Sequence, residues 1–145
     1  MSNPNVDVLN DVTKTLIDSH KGYQKVSDLA DSSYALRSKF ISLAAERQDL
    51  IAAFQQRVRD YGEEPVTSGG VGGTLHRAWA DFTALFQKDE KASLEAVDDG
   101  EEHLGDQVES KLDTAGLDAG TVDLLRRALA SARRGESFAD ALTDH

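Results

Sequence analysis

The fold of this chain depends on how residues 62–88, GEEPVTSGGVGGTLHRAWADFTALFQK, connect the sequence before them to the sequence after them. The first part of this stretch, residues 63–73, holds one of the two prolines and four of the eleven glycines, which predicts a loop. Thr74 then predicts the N-cap of a short helix. Apolar residues recur along that helix at helical spacing: Leu75, Trp79, Phe82 and Phe86.

The sequence on either side of this connection predicts four long helices. Apolar positions recur at alternating steps of three and four over residues 6–30, 33–61 and 89–113, and again from about Asp118 or Thr121 to Leu142. The predicted inward positions of the first two helices are Leu9, Val12, Leu16, Ser19, Tyr23, Val26 and Ala30, then Leu36, Phe40, Leu43, Arg47, Leu50, Phe54 and Tyr61. Those of the last two are Leu94, Val97, Glu101, Leu104, Val108 and Leu112, then Val122, Leu125, Leu129, Ala132 and Glu136. Strand-like alternation is not evident in the sequence, so the pattern predicts an all-α protein.

The connection between the second and third long helices decides the topology. A helix of about 24 residues is about 36 Å long, and residues 62–88 can cover more than that length. The third helix can therefore run parallel to the second after a crossover, or turn straight back in an up-down-up-down bundle. We expect one domain over residues 1–145: a ferritin-like four-helix bundle whose crossover connection contains an additional short helix.

Polar residues interrupt the apolar stripes near the middle of the long helices. Ser19, Arg47 and Glu101 lie in the stripes, and Asp98 lies one turn before Glu101. Because a buried charge is costly unless it is paired, we expect a salt bridge from Arg47 to Glu101 or Asp98, with Ser19 or Tyr23 hydrogen-bonded nearby. The sequence thus predicts a buried polar layer made of Ser19, Arg47, Asp98 and Glu101.

The alternative for this layer is a metal site between helices. Its candidate ligands are acidic residues of the second and third long helices: Glu46, Asp49, Asp98, Glu101 and Glu102. Oxygen-only ligands would favour manganese, calcium or magnesium. Ferritin-like di-iron bundles use Glu-x-x-His pairs, and none of the four histidines follows a glutamate at that spacing. Arg47 would also place a fixed positive charge beside the cation, so we expect no cofactor.

Composition excludes several classes of function. The net charge is −10, with 26 acidic and 16 basic residues, and the pI is about 4.7, so we expect neither nucleic-acid nor anionic-membrane binding. The acidity is local, because residues 89–113 carry ten acids and two lysines. Without cysteine the chain forms no disulfide. The N-terminus lacks a basic segment followed by an apolar one, so we expect a cytoplasmic protein.

Three short motifs resemble those of a known bacterial family. They are Ala-Glu-Arg at residues 45–47, Leu-His-Arg-Ala-Trp at 75–79 and acid-Gly-Glu at 99–101. The chain is similar, through about Leu112, to an uncharacterised family of ferritin-like four-helix-bundle domains of unknown function. The resemblance implies a ferritin-like bundle with a helix in its crossover, and it implies no settled activity. Glu46 and Glu101 match positions where a ferritin-like ligand could sit, but their histidine partners are absent.

These observations favour a non-enzymatic protein, a degenerate ferritin-like module used in binding, in self-association or in a stress-associated role. Self-association is expected because Trp79, Phe82 and Phe86 of the crossover helix could leave an apolar surface uncovered. One alternative is a carboxylate-ligated metal-binding protein or metal-dependent oxidase. A second alternative is an acidic docking surface, on the third long helix, for a basic protein partner.

Overall fold

The computed structural model describes residues 3–30, 33–70 and 73–143, without the side chains of residues 73–75. Within these ranges all regular secondary structure is helical, which confirms the all-α prediction. The helices are α1 (Pro4–Leu29), α2 (Tyr34–Asp60), α3 (Gly73–Leu85), α4 (Glu90–Leu112) and α5 (Ala119–Thr143). None of them combines the length and the apolar character needed to cross a membrane.

Local hydrogen bonds explain where the long helices begin. The side chain of Asn3 accepts from the backbone N–H of Asn5 at 2.9 Å, and Pro4 occupies the first turn of α1. Ser33 and Asp89 cap α2 and α4 in the same way. These caps satisfy backbone donors that have no partner within the helix.

Neighbouring long helices run antiparallel. In α1 and α4, Asp11 pairs with Lys111 while Tyr23 reaches Glu101, so the two helices point in opposite directions. The short α1–α2 and α4–α5 connections reverse the chain in the same manner. Helices α2 and α4 occupy opposite corners of the bundle and point the same way; in the described part of the chain their backbones do not approach each other. The connection between them therefore travels from one end of the bundle to the other.

Contacts with α1 show the path of this connection. The backbone N–H of Val66 donates to the Asn10 side chain at 3.2 Å, and that of Gly70 donates to the Asp18 carboxylate at 3.2 Å. Helix α3 then packs across α1 and α4. The connection thus runs along α1 and leads to the end of the bundle where α4 begins.

The core consists of two apolar clusters. One is mainly aliphatic and gathers residues from α1, α2, α4 and α5. The other is rich in aromatic rings and includes Trp79, Phe82 and Phe86, which are only 2%, 0% and 7% exposed. The expectation that these three residues leave an uncovered surface is therefore wrong, because Tyr23 and Phe40 cover them within the same chain. The side chain of Leu75 lies outside the described residues.

The inward face of α5 differs from the predicted one. Val122, Leu129 and Glu136 are only partly buried. The buried positions of α5 are Thr121, Leu124, Leu125, Ala128, Ser131, Ala132, Gly135 and Ala139. Most of these side chains are small. The face of α5 that lies against the neighbouring helices therefore has little side-chain volume, and α5 packs close to them. A prediction that weights large apolar residues misses this face.

We expect Gly100→Ala to destabilise the protein, because a Cβ there would lie 2.9 Å from Cε2 of the Trp79 indole. Alanine is otherwise the better helix former, but overpacking should lower the free energy of unfolding by about 1–3 kcal/mol. Urea denaturation followed by circular dichroism measures this change. Gly105→Ala in the same helix is the control, because the atoms nearest to its Cβ would be those of the guanidinium of Arg133, at the far end of a flexible side chain. Equal losses in both variants would contradict the assignment.

Candidate functional site

A buried ion pair joins the two helices at opposite corners of the bundle. Arg47 of α2 and Glu101 of α4 are both 0% exposed. Arg47 Nη1 donates to Glu101 Oε1 at 2.8 Å and Nη2 donates to Oε2 at 2.5 Å. This bidentate geometry gives two parallel charge-assisted hydrogen bonds. The predicted salt bridge from Arg47 therefore forms with Glu101 and crosses the centre of the bundle.

Helices α1 and α5 each contribute one partner to the pair. From α1, the Tyr23 hydroxyl donates to Glu101 Oε2 at 2.8 Å. From α5, the Ser131 hydroxyl accepts from Arg47 Nε at 2.9 Å, and the Ser131 carbonyl accepts from Nη2 at 3.2 Å. All four long helices therefore meet in one hydrogen-bonded layer between the two apolar clusters. We call Tyr23, Arg47, Glu101 and Ser131 the central layer.

The central layer is connected to the surface by one further step. The Ser131 hydroxyl donates to the Glu46 carboxylate. Glu46 also accepts from Nη2 of Arg134 at 2.9 Å, and Arg134 is exposed. Although burial opposes ionisation, the bonds from Ser131 and Arg134 lower the pKa of Glu46 below its ordinary value. Glu46 is thus an ionised acceptor at the seam of α2 and α5.

Gly135 makes room for the buried carboxylate. A Cβ on Gly135 would overlap Oε2 of Glu101. The glycine lies one turn after Ser131 on the same face of α5. Helix α5 therefore supplies both a hydrogen-bond partner and the space that the ion pair occupies.

Burial and pairing act in opposite directions on these charges. Burial raises the pKa of Glu101, while the Arg47 guanidinium and the Tyr23 hydroxyl oppose the rise. Burial lowers the pKa of Arg47, but Glu101 outweighs it and the net pKa lies above the ordinary value. Burial, followed by the charge of Glu101, raises the pKa of Tyr23 well above its usual range. Tyr23 therefore stays a neutral donor beside a cation that keeps its charge.

Chemically, this arrangement engages the groups that a metal ion or ligand would need. Both carboxylate oxygens of Glu101 accept hydrogen bonds, and the guanidinium places a positive charge where a metal ion would otherwise sit. The pair has no exposed surface for a substrate to touch. The layer instead links the four long helices to one another.

The structure separates the other predicted site residues. Ser19 is buried, but its hydroxyl donates to the Leu16 carbonyl of its own helix instead of joining the ion pair. Asp98 is only partly buried and lies among acidic groups at the α4–α5 seam, so placing it in the buried polar layer was wrong. Asp49 and Glu102 are exposed. Among the described residues, no three acidic or histidine side chains come close enough together to hold a metal ion.

Ser131 and Gly135 are the site residues that sequence reasoning missed. Small residues recur on one face of α5: Ala128, Ser131, Ala132, Gly135 and Ala139. A helix face made of small residues leaves room for large polar side chains from other helices. The spacing of these small residues is therefore the signal that could have indicated Ser131 and Gly135.

An acidic stripe runs along the outside of α4. Its members are exposed and follow steps of three and four: Glu95, Asp99, Glu102, Asp106, Glu109 and Asp113. Arg133 of α5 donates to Glu109 at 2.7 Å and to Asp106 at 3.4 Å. The local acidity of the sequence is therefore a property of one helix face, which α5 partly neutralises.

A family model matches residues 5–114 of the chain, and the family is described as a domain of unknown function (DUF2383). The match includes Tyr23, Arg47 and Glu101 and ends before α5 begins. The match ends close to where the resemblance of the sequence ends, at about Leu112, and it supports an uncharacterised domain of unknown function. No curated protein is similar enough to the chain to count as a match.

Removing one partner of the ion pair should destabilise the protein more than removing both. We expect Arg47→Met to lower the free energy of unfolding by about 3–5 kcal/mol, because Glu101 is left as an unpaired buried charge. The double variant Arg47→Met/Glu101→Leu should regain most of this loss. Urea denaturation of the two single variants and the double variant measures the coupling.

Arg134→Met is the control for this cycle. Its ion pair with Glu46 is exposed, so the loss should stay below about 1 kcal/mol. Additive effects of the Arg47 and Glu101 substitutions would show that the pair is not coupled.

Asp98 should make stability depend on pH. Burial, together with Asp140, Glu136 and Asp99, raises the pKa of Asp98 from 3.8 to about 7. Since the folded state binds the proton more tightly than the unfolded state, stability falls as pH rises from about 4 to about 7. We expect Asp98→Asn to raise the free energy of unfolding by about 1–2 kcal/mol at pH 8, a figure reduced for solvent screening, and to change it little at pH 4.

Denaturation curves at the two pH values test this expectation. Glu95→Gln, at an exposed position of the same helix, is the control and should have a small effect at both. A gain from Asp98→Asn that is the same at pH 4 and pH 8 would refute the explanation.

Proposed function

The chain belongs to the DUF2383 family, a domain of unknown function, and on that premise we propose that it is a non-enzymatic helical-bundle protein that works through its surface. We further propose that the bundle is ferritin-like and degenerate, with an ion pair in the layer where ferritin-like proteins hold their metal. The bidentate contact between Arg47 and Glu101, fully buried, is the observation that carries this proposal.

The helix directions support the ferritin-like part of the proposal. Bundles of that type have one long crossover connection, and here α2 and α4 run parallel at opposite corners with α3 between them in the chain. The hydrogen bonds support the degenerate part. Arg47 and Tyr23 engage both carboxylate oxygens of Glu101, and Ser131 and Arg134 both donate to Oε1 of Glu46, so three of the four oxygens of these two carboxylates already have partners.

Because the interior of the bundle is closed in this way, its surface is the part that remains available for function. We propose binding or self-association as that function, and a cytoplasmic location stays a prediction of the sequence. A metal-dependent oxidase would need a set of ligands that the described residues do not bring together.

Metal analysis tests the proposal. Protein purified without chelators should contain far less than one metal ion per chain by elemental analysis. Addition of ferrous iron in air should give oxidation no faster than in buffer alone, because Arg47 excludes a cation from the central layer.

Glu46→Gln and Glu101→Gln are the matched variants for this experiment. If stoichiometric metal were bound and then lost in either variant, the oxygen-ligated metal site would be correct and the proposal wrong. Metal that remains in both variants would place a site elsewhere in the chain and would also contradict a metal-free bundle.

The acidic stripe on α4 favours a second candidate, a docking surface for a basic protein. Six exposed carboxylates share one face, and Arg133 engages only two of them. Such a face would attract a cationic partner over long range, and the interaction would weaken as ionic strength rises.

A further inference from the structure

A groove lies on the surface of the bundle where α3 packs against α1. Its volume is about 170 Å³, and the described residues that line it all belong to these two helices. Neither the central layer nor the acidic stripe contributes to its lining. Since an apolar cavity of about 150 Å³ holds one benzene molecule, the groove has room for a single six-membered ring with a small substituent.

The floor of the groove is apolar. Trp79 forms its bottom, where the side chain is 2% exposed, and Ala80 lies beside it at an exposed position of α3. Gly22 faces the indole from α1, and a Cβ on this glycine would lie 3.2 Å from Cε3 of Trp79. Because Gly22 has no side chain, α1 does not fill the space next to the benzene ring of the indole.

A carboxylate at one end of the groove already has partners. Oδ2 of Asp18 accepts from the backbone N–H of Gly70 at 3.2 Å and lies 3.3 Å from Nδ1 of His76. The Asp18 side chain is only 10% exposed. This carboxylate therefore holds the connection and the start of α3 against α1, and it is not available to a ligand.

Two lysines line the rest of the α1 side. Lys21 and Lys25 follow Asp18 by about one and two helical turns, and both are exposed. Neither forms an ion pair with a described residue. On the α3 side the Thr83 hydroxyl donates to the Ala80 carbonyl at 2.9 Å, which leaves the lysines as the groups that attract an anion. The groove thus combines an apolar floor with a positive rim, on a protein whose net charge is −10.

We propose that this groove binds a small aromatic carboxylate. The ring lies on Trp79 and Ala80, where it displaces water from apolar surface, and it can meet the indole edge to face. The carboxylate points toward the ammonium groups of Lys21 and Lys25, whose apolar stems cover the sides of the ring. A cationic ligand would find no such partner, because Asp18 is engaged. The inference rests on the binding part of the proposed function and names a class of ligand for it.

Calorimetric titration of the full chain with four matched compounds tests the proposal. We expect benzoate to bind with a dissociation constant on the order of 1 mM. Benzamide, which is the same ring without the charge, should bind about fivefold more weakly. Benzylamine and acetate, which reverse the charge and remove the ring, should not bind measurably. Trp79 is the only tryptophan in the sequence, so its fluorescence provides a second readout at the groove itself.

Two sets of variants locate the site. Lys21→Gln/Lys25→Gln should weaken benzoate binding to the level of benzamide and leave benzamide binding unchanged. The control is Lys91→Gln, at an exposed position of α4, which should change neither.

Ala80→Leu should abolish the binding of both compounds, because its side chain would occupy the groove. Ala84→Leu, exposed on the same helix but outside the lining, is the matched control and should bind like the wild type. Circular dichroism should show the same helix content for all variants.

The outcomes separate this inference from the proposed function. Benzoate that binds no better than benzamide or acetate would refute the proposed ligand class, and binding that survives Ala80→Leu would refute the groove as its site. Either result leaves the proposed function standing. Stoichiometric metal in the elemental analysis would refute the proposed function whatever benzoate does.

Discussion

The ion pair between Arg47 and Glu101 is the constraint on which the rest of the structure depends. It joins α2 to α4, whose backbones do not approach each other in the described part of the chain, so the pair itself spans the bundle. A buried charge without its partner costs several kcal/mol. Sliding either helix by one turn would separate the two groups. Tyr23 and Ser131 extend the same requirement to α1 and α5, and the layer therefore fixes the register of all four long helices.

Space in the bundle is organised around that layer. The aliphatic cluster fills one half of the interior, and the aromatic cluster, completed by α3, fills the other. Glycines lie where large groups need room: Gly135 faces the Glu101 carboxylate, and Gly100 faces the Trp79 indole. The crossover helix is thus a part of the core as well as a connection. Its aromatic side chains are covered within the chain. Any self-association would therefore have to use another surface.

The charge of the molecule is distributed unevenly over its surface. The acids are concentrated on α4, whose exposed face would repel another copy of the same protein. The opposite corner, at α2, carries a small positive excess and the exposed side chains of Tyr34 and Ile41. The surface of the bundle is therefore divided between an acidic face on α4 and a face on α2 that carries less negative charge.

The sequence by itself determined the helices and the central charges. Heptad spacing predicts long helices close to those observed, whereas Thr74, predicted as an N-cap, lies inside α3. Arg47 and Glu101 interrupt apolar stripes where a buried pair is required. Tertiary structure decided the rest. The length of residues 62–88 permits two topologies, so only packing selects the crossover. Asp98 lies outside the central layer, whereas Ser131 belongs to it and Gly135 makes room for it. Which way a small or polar residue faces depends on how its helix is rotated against its neighbours. The periodicity within one helix does not specify that rotation.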